Sequence, residues 1–251
     1  MPDTSRDSIR NTLFVAVGLS VVCSILVAST AVILQPVQQR NEEEFRQRII
    51  LQVAGLLNAD ASVQSQFEAI ETRVVDIESG NYVTDSEVDE AESMVMIPDA
   101  MDIANIRQRP EYSRVYLVRD GDELEQIILP VHGAGLWSTM YGYLSVATDG
   151  RTVQGLQFYS HAETPGLGDQ IDDPDWQAKW VGKQLYDESG DVRIEVVRGM
   201  AQDRDSDYEI DGLSGATLTG RGVSQLVRYW TGPHGFGPYL QKIQELEGES
   251  S

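Results

Sequence analysis

The chain has 251 residues, room for one domain of ordinary size plus an appendage, and its 19 basic residues against 40 acidic ones leave a formal net charge of −21. An acidic body of this kind repels phosphate backbones, which argues against nucleic acid as a partner. Any anionic ligand must be held locally, by backbone amides or by a nearby Arg or Lys, against the overall field. Cys23 is the only cysteine and lies in an apolar run. That excludes an internal disulfide and, in the soluble part, a Cys-held iron–sulfur cluster, a Cys-x-x-Cys redox pair, a c-type haem site and a cysteine-linked flavin. His132, His161 and His234 stand singly, without metal-ligand spacing, so no metal site is expected.

From Leu13 to Leu34 no residue carries a charge, and Leu, Val, Ile and Ala dominate. The run is long enough to cross a hydrocarbon core of about 30 Å as a helix. A signal peptide is the competing reading, given Arg6 and Arg10 upstream, but its apolar region is shorter and no clear cleavage site closes this one. Arg40, Arg46 and Arg48 lie just past the span, so the arginine count leaves its orientation open. Phe45, Ile49, Val53 and Leu56, then Phe67, Ile70, Val74 and Ile77, recur at spacings of three and four, which predicts two amphipathic helices, the second ended by Gly80. The acidic run from Asp85 to Glu92 reads as solvated surface, and Met94 to Arg114 gives no clear pattern.

After Arg114 the pattern turns to strands. Val115 to Val118 and Gln126 to Val131 flank the Asp120-Gly121-Asp122 turn, and Tyr141 to Ala147 and Val153 to Tyr159 flank Asp149-Gly150, which predicts two hairpins. Pro174 to Lys183 reads as helical and Arg193 to Val197 as a strand. Val223, Leu226, Val227 and Trp230 then mark one face of a helix that Gly232-Pro233 stops, and a short polar tail follows from Tyr239. Strands joined by tight turns with helices at the ends predict an α+β fold built on a mostly antiparallel sheet.

Three loops in this part carry glycines and hydroxyls. Gly133-Ala134-Gly135-Leu136-Trp137-Ser138 follows a strand, and its alternatives are a close backbone approach to a ligand beside the flat face of Trp137, or a tight turn with a core Trp. In His161-Ala162-Glu163-Thr164-Pro165-Gly166-Leu167-Gly168, Thr164 and the amides around Gly166 and Gly168 can bond a polar ring edge; the alternative is an ordinary loop. Asp211-Gly212-Leu213-Ser214-Gly215-Ala216-Thr217-Leu218-Thr219 feeds a helix N-terminus, where free N–H groups and the dipole suit a phosphate; alternatively Ser214, Thr217 or Thr219 caps the helix. No Ser-His-Asp elbow, paired-carboxylate signature or Walker loop is present.

In this order the N-terminal span and the three loops resemble the C subunits of the bacterial sodium-translocating NADH:quinone oxidoreductases, within the wider FMN-binding domain group that includes the G subunit of the Rnf electron-transport complex. The resemblance covers the anchor and most of the chain after Arg114. It implies a short cytoplasmic tail at 1–12, a transmembrane helix at 13–34, a helical membrane-proximal region at 35–113 and an FMN-binding domain at 114–251 in the periplasm of a bacterial inner-membrane protein. It also implies FMN joined through its phosphate to the hydroxyl of Thr217, in a phosphothreonine-type linkage made by a separate flavin transferase. Ser214, Gly215 and Ala216 would form the slim attachment loop, Asp211 a metal or hydroxyl partner during attachment, and Gly135, Leu136, Trp137, Thr164, Gly166 and Leu167 the ring seat. Lys183 or Arg221 would offset the phosphate charge. The implied function is an electron relay among the other subunits of a membrane complex that oxidises NADH, reduces quinone and exports sodium. The alternatives are the Rnf-type protein and a cofactor-free assembly module.

Overall fold

The structure, a computed structural model, describes residues 9–84, 94–201 and 207–250. The acidic run Asp85 to Glu92 lies outside them. The chain divides into two compact units, Met1–Phe45 and Arg46–Ser251.

The first unit belongs to helix α1 (Ile9–Val53). Its large apolar side chains between Leu13 and Leu34 are 45% to 79% exposed and point to all sides. A helix apolar all round has no place on a water-facing surface, and this one is long and apolar enough to be a candidate membrane span. The Thr30 hydroxyl donates to the Leu26 carbonyl at 2.8 Å, which satisfies it within the helix.

The second unit begins with the last turns of α1, which bury Ile49, Ile50, Leu51 and Val53. Leu56 N–H bonds the Leu51 carbonyl and Gly55 N–H that of Gln52, the paired closure that ends a helix at a glycine. A short helix α2 (Val63–Phe67) starts at Ser62, whose hydroxyl accepts from Ser65 N–H. The helix expected from Phe67 to Ile77 is then corrected: the chain forms strand β1 (Glu71–Asp76). Thr72, Val74 and Val75 favour a pleated surface, and pairing with neighbours on both edges outweighs a weak three-and-four period.

Strands β2 (Tyr82–Val83), β3 (Met94–Met96), β4 (Gln108–Pro110), β5 (Tyr112–Asp120), β6 (Glu123–Ala134), β7 (Thr139–Ala147) and β8 (Val153–Ser160) follow. The main sheet is antiparallel in the order β2-β1-β5-β6-β7-β8, while β3 and β4 pair apart from it. Both expected hairpins are present, with Asp120 opposite Glu123 and Val146 opposite Val153. The expected helix from Pro174 to Lys183 is shorter: α3 (Pro174–Gln177), capped by Asp173, runs into a 3-10 turn at Ala178–Trp180. The strand expected at Arg193 to Val197 is the two-residue β9 (Glu195–Val196), parallel to β10 (Glu209–Ile210). Helix α4 (Thr217–Thr231) lies where its period placed it. The polar tail is corrected to helix α5 (Gly237–Ser250), which buries Tyr239, Leu240 and Ile243 on one side.

Alternation along β6 explains the layering. Ile127, Leu129 and Val131 join the main core with Leu226, Val227 and Trp230 of α4, whereas Ile128 faces a second cluster with Ile49, Ile50, Val118 and Tyr143. The sheet is covered on both faces. This is the α+β architecture with flanking helices that the turns and periods implied.

Candidate functional site

Helix α4 begins without a side-chain cap. Its N-cap is Ala216, which carries no hydroxyl, and the first intrahelical bond runs from Gly220 N–H to the Ala216 carbonyl. The amides of the first turn therefore lack partners within the helix, at its positive end. The capping alternative fails for each hydroxyl in turn. Ser214 is exposed one turn upstream, Thr217 is exposed at the first helical position, and the Thr219 hydroxyl is turned inward to another partner. Gly215, at φ +72°, sets the turn, and a Cβ there would come within 2.9 Å of Leu167 Cδ2. Residues 214–217 form a slim loop presenting two exposed hydroxyls, Ser214 and Thr217, of which Thr217 stands at the helix end.

Asp211 holds that loop from behind. Its carboxylate pairs with Lys179 Nζ at 2.8 Å and accepts from Ala201 N–H at 2.8 Å, and its carbonyl accepts from Trp176 Nε1 at 2.9 Å. These contacts make Asp211 a brace for the loop.

The other two loops converge on the same place. Gly135 N–H bonds the Ser138 carbonyl at 2.8 Å, a tight turn that turns Trp137 outward, 68% exposed, so Trp137 is not a core residue. Trp137 Nε1 donates to Thr164 Oγ1 at 2.9 Å, which joins the first loop to the second. Leu167 N–H returns to the Thr164 carbonyl, which closes the turn at Pro165-Gly166 and leaves the Leu167 side chain exposed. Leu136, Trp137 and Leu167 thus offer exposed apolar surface on loops that meet the segment carrying Thr217 through Glu163–Thr219 and Leu167–Gly215. Exposed aromatic and aliphatic groups beside polar loop amides are the ordinary lining of a cofactor site.

Among the expected residues, Gly135, Leu136, Trp137, Thr164, Gly166, Leu167, Asp211, Ser214, Gly215, Ala216 and Thr217 lie in these three joined loops. Lys183 does not. Its backbone pairs with Val153 at the start of β8, the end opposite the loop that follows Ser160. Thr217 lines one end of a groove of about 310 Å³ between α4 and the β9 segment whose walls also carry Arg198, Arg221, Arg228 and Glu195. Arg221 and Arg228 stand four and eleven residues after Thr217, helical spacings that the sequence already displays.

Glu163 is the site residue that the loop motifs concealed. It is 5% exposed, and its carboxylate accepts from Leu136 N–H at 2.9 Å, Trp137 N–H at 3.1 Å and the Thr219 hydroxyl at 2.5 Å. Its own N–H donates to His161 Nδ1 at 3.2 Å, while His161 Nε2 meets Asp172 Oδ2 at 2.8 Å, which places the imidazole proton on Nε2.

The seat is also held by a close backbone approach. A Cβ on Gly222 would lie 2.5 Å from the Ala134 carbonyl oxygen and 3.1 Å from Met140 Cε. In an open helix Gly→Ala is worth about 1 kcal/mol of added stability. Here overpacking, at about 1–3 kcal/mol, outweighs it. Gly222→Ala is therefore expected to lower the stability of the full chain by up to about 2 kcal/mol in chemical unfolding; a more stable variant would refute the close approach.

Residues 135–232 match the FMN-binding domain family. The chain is 43% identical to the C subunit of the Na(+)-translocating NADH-quinone reductase of Yersinia pestis, over 96% of this chain and 95% of that one. It is 42% identical to the corresponding C subunit of Vibrio alginolyticus, over 97% and 98%. The crystal structure of Shewanella oneidensis NqrC matches with a TM-score of 0.73 at 30% identity, covering 82% of this chain and 99% of that one. With near-complete coverage at such identity and the same fold, the chain belongs to the family of C subunits of the Na(+)-translocating NADH-quinone reductases.

Proposed function

We propose that this chain carries FMN in a phosphoester to Thr217 and relays electrons between other subunits of a membrane NADH:quinone reductase that exports sodium. The observation that carries the reading is the exposed Thr217 hydroxyl at the uncapped N-terminus of α4, on a segment tied through Thr219 and Ser214 to loops that carry exposed apolar side chains. The residues fit the group. First-turn amides and Arg221 suit the phosphate, and Leu136, Trp137, Thr164 and Leu167 suit a flat ring with a polar edge. When bound, FMN supplies the redox chemistry, and the protein supplies position and electrostatics.

The chain's own residues do the rest. Gly215 and Ala216 keep the loop narrow for a flavin transferase to reach Thr217, and Asp211 with Lys179 holds its base in place. The domain stands in the periplasm, anchored by the span at 13–34, with the preceding residues on the cytoplasmic side. The names of the matched relatives favour the quinone reductase over the Rnf-type complex. The full chain, produced together with its flavin transferase and run on a denaturing gel, is expected to give a flavin-fluorescent band with its mass raised by one FMN ester. A dark band at the unmodified mass would favour a cofactor-free assembly module.

A further inference from the structure

Three donors converge on the two oxygens of Glu163, and all three are neutral: two backbone N–H groups and one hydroxyl. That is the acceptor-only chemistry of an ionised carboxylate. The donors come from different parts of the chain, Leu136 and Trp137 from the turn after β6 and Thr219 from the first turn of α4, while Glu163 itself leads into Thr164. A single side chain thus ties the exposed apolar turn to the helix end that carries Thr217. The surrounding backbone leaves room for nothing else. A Cβ on Gly135 would lie 2.4 Å from Glu163 Oε1, and one on Gly168 would lie 2.8 Å from Thr219 Oγ1 and 2.9 Å from Glu163 Cβ.

We propose that Glu163 is a positioning residue for the flavin: its buried carboxylate holds the Leu136–Trp137 turn in register with the first turn of α4 and sets a negative charge into the floor of the site. Hydrogen bonds from neutral donors spread this charge without cancelling it. Burial protects it from the salt screening that weakens surface charges. Addition of an electron to a group seated on these loops is opposed by that charge, so the carboxylate holds the reduction potential of the bound flavin down. The electrostatic half rests on the FMN reading; the bracing half concerns this chain alone.

Two substitutions in the full chain separate the halves. Glu163→Gln keeps an oxygen for the two amides and offers an N–H to Thr219 Oγ1, so the brace survives while the charge is lost. The flavin-loaded Glu163→Gln variant is expected to unfold at nearly the wild-type temperature and to show a midpoint potential shifted to positive values in spectroelectrochemical titration, with the shift persisting in high salt. An unchanged potential with an unchanged unfolding temperature would overturn the electrostatic role. Glu163→Ala removes the brace, and the Leu136 and Trp137 amides are expected to exchange hydrogen about tenfold faster than in wild type. Unchanged exchange at both amides would overturn the positioning role. Exchange is also measured on chain made without the flavin transferase, so absence of flavin from wild-type protein would defeat the FMN reading while leaving the brace decided.

Discussion

Thr217→Ala is expected to abolish the flavin band that survives denaturation and to return the intact mass to that of the bare polypeptide, while the chain stays folded. The loss is all or none, because a phosphoester needs one hydroxyl oxygen and Thr217 supplies it. Stability is expected to hold for two reasons. Thr217 is exposed and its hydroxyl forms no hydrogen bond among the described residues, so no buried partner is abandoned. Alanine also has the higher helix propensity, by up to about 0.7 kcal/mol, which adds slightly to α4. Thr217→Ser keeps the oxygen and is expected to keep the band. A fluorescent band of unchanged strength from Thr217→Ala would move the attachment elsewhere. Ser214, exposed three residues upstream, is the first alternative to test by the same substitution.

Much of the scaffold around Thr217 is written locally. The hairpin between β7 and β8 follows from an Asp-Gly turn between β-branched and aromatic runs, and α4 from apolar residues at helical spacing up to its glycine stop. Two elements defeat that kind of reading. The stretch around Val74 carries a helical period but becomes β1, because its place in the sheet depends on β5, a partner some forty residues later. Helix α5 hides because its buried Tyr239, Leu240 and Ile243 are scattered through a polar sequence, so its amphipathic face is narrow. The site divides in the same way. Glycines, hydroxyls and the exposed Trp137 mark the three loops separately, but what joins them is Glu163, and its acceptors serve backbone amides 27 and 26 residues away that have no sequence signature. Lys183 shows the converse: it is a cation chosen without the fold, and its backbone pairs at the start of β8, away from the loop that follows Ser160.

The largest loss of stability is expected from Trp230→Ala. Trp230 is 1% exposed, packs against His132, Tyr229 and Phe236 with ring centroids 4.8, 5.4 and 5.5 Å away, and donates from Nε1 to the His132 carbonyl at 2.7 Å. Removing the ring is worth about 3–5 kcal/mol, a large share of the roughly 5–15 kcal/mol that holds a domain together. Trp230→Phe keeps most of the ring and loses the N–H, so its cost should fall near 1 kcal/mol, with about 1–3 kcal/mol as the bound if the carbonyl stays dry. Acidification should change the size of the alanine effect. Burial depresses the His132 imidazole from 6.5 to about 4, so its contribution is present above pH 6.5 and is lost as pH falls through the window from 6.5 to about 4. Trp230→Ala uncovers that ring and lets its pKa rise back toward 6.5, so the variant loses less over the same window. The gap between wild type and Trp230→Ala, measured by chemical unfolding of the full chain, should therefore be wide at pH 7.5 and narrower at pH 5. A gap that stays constant or widens on acidification would show that Trp230 does not keep His132 uncharged.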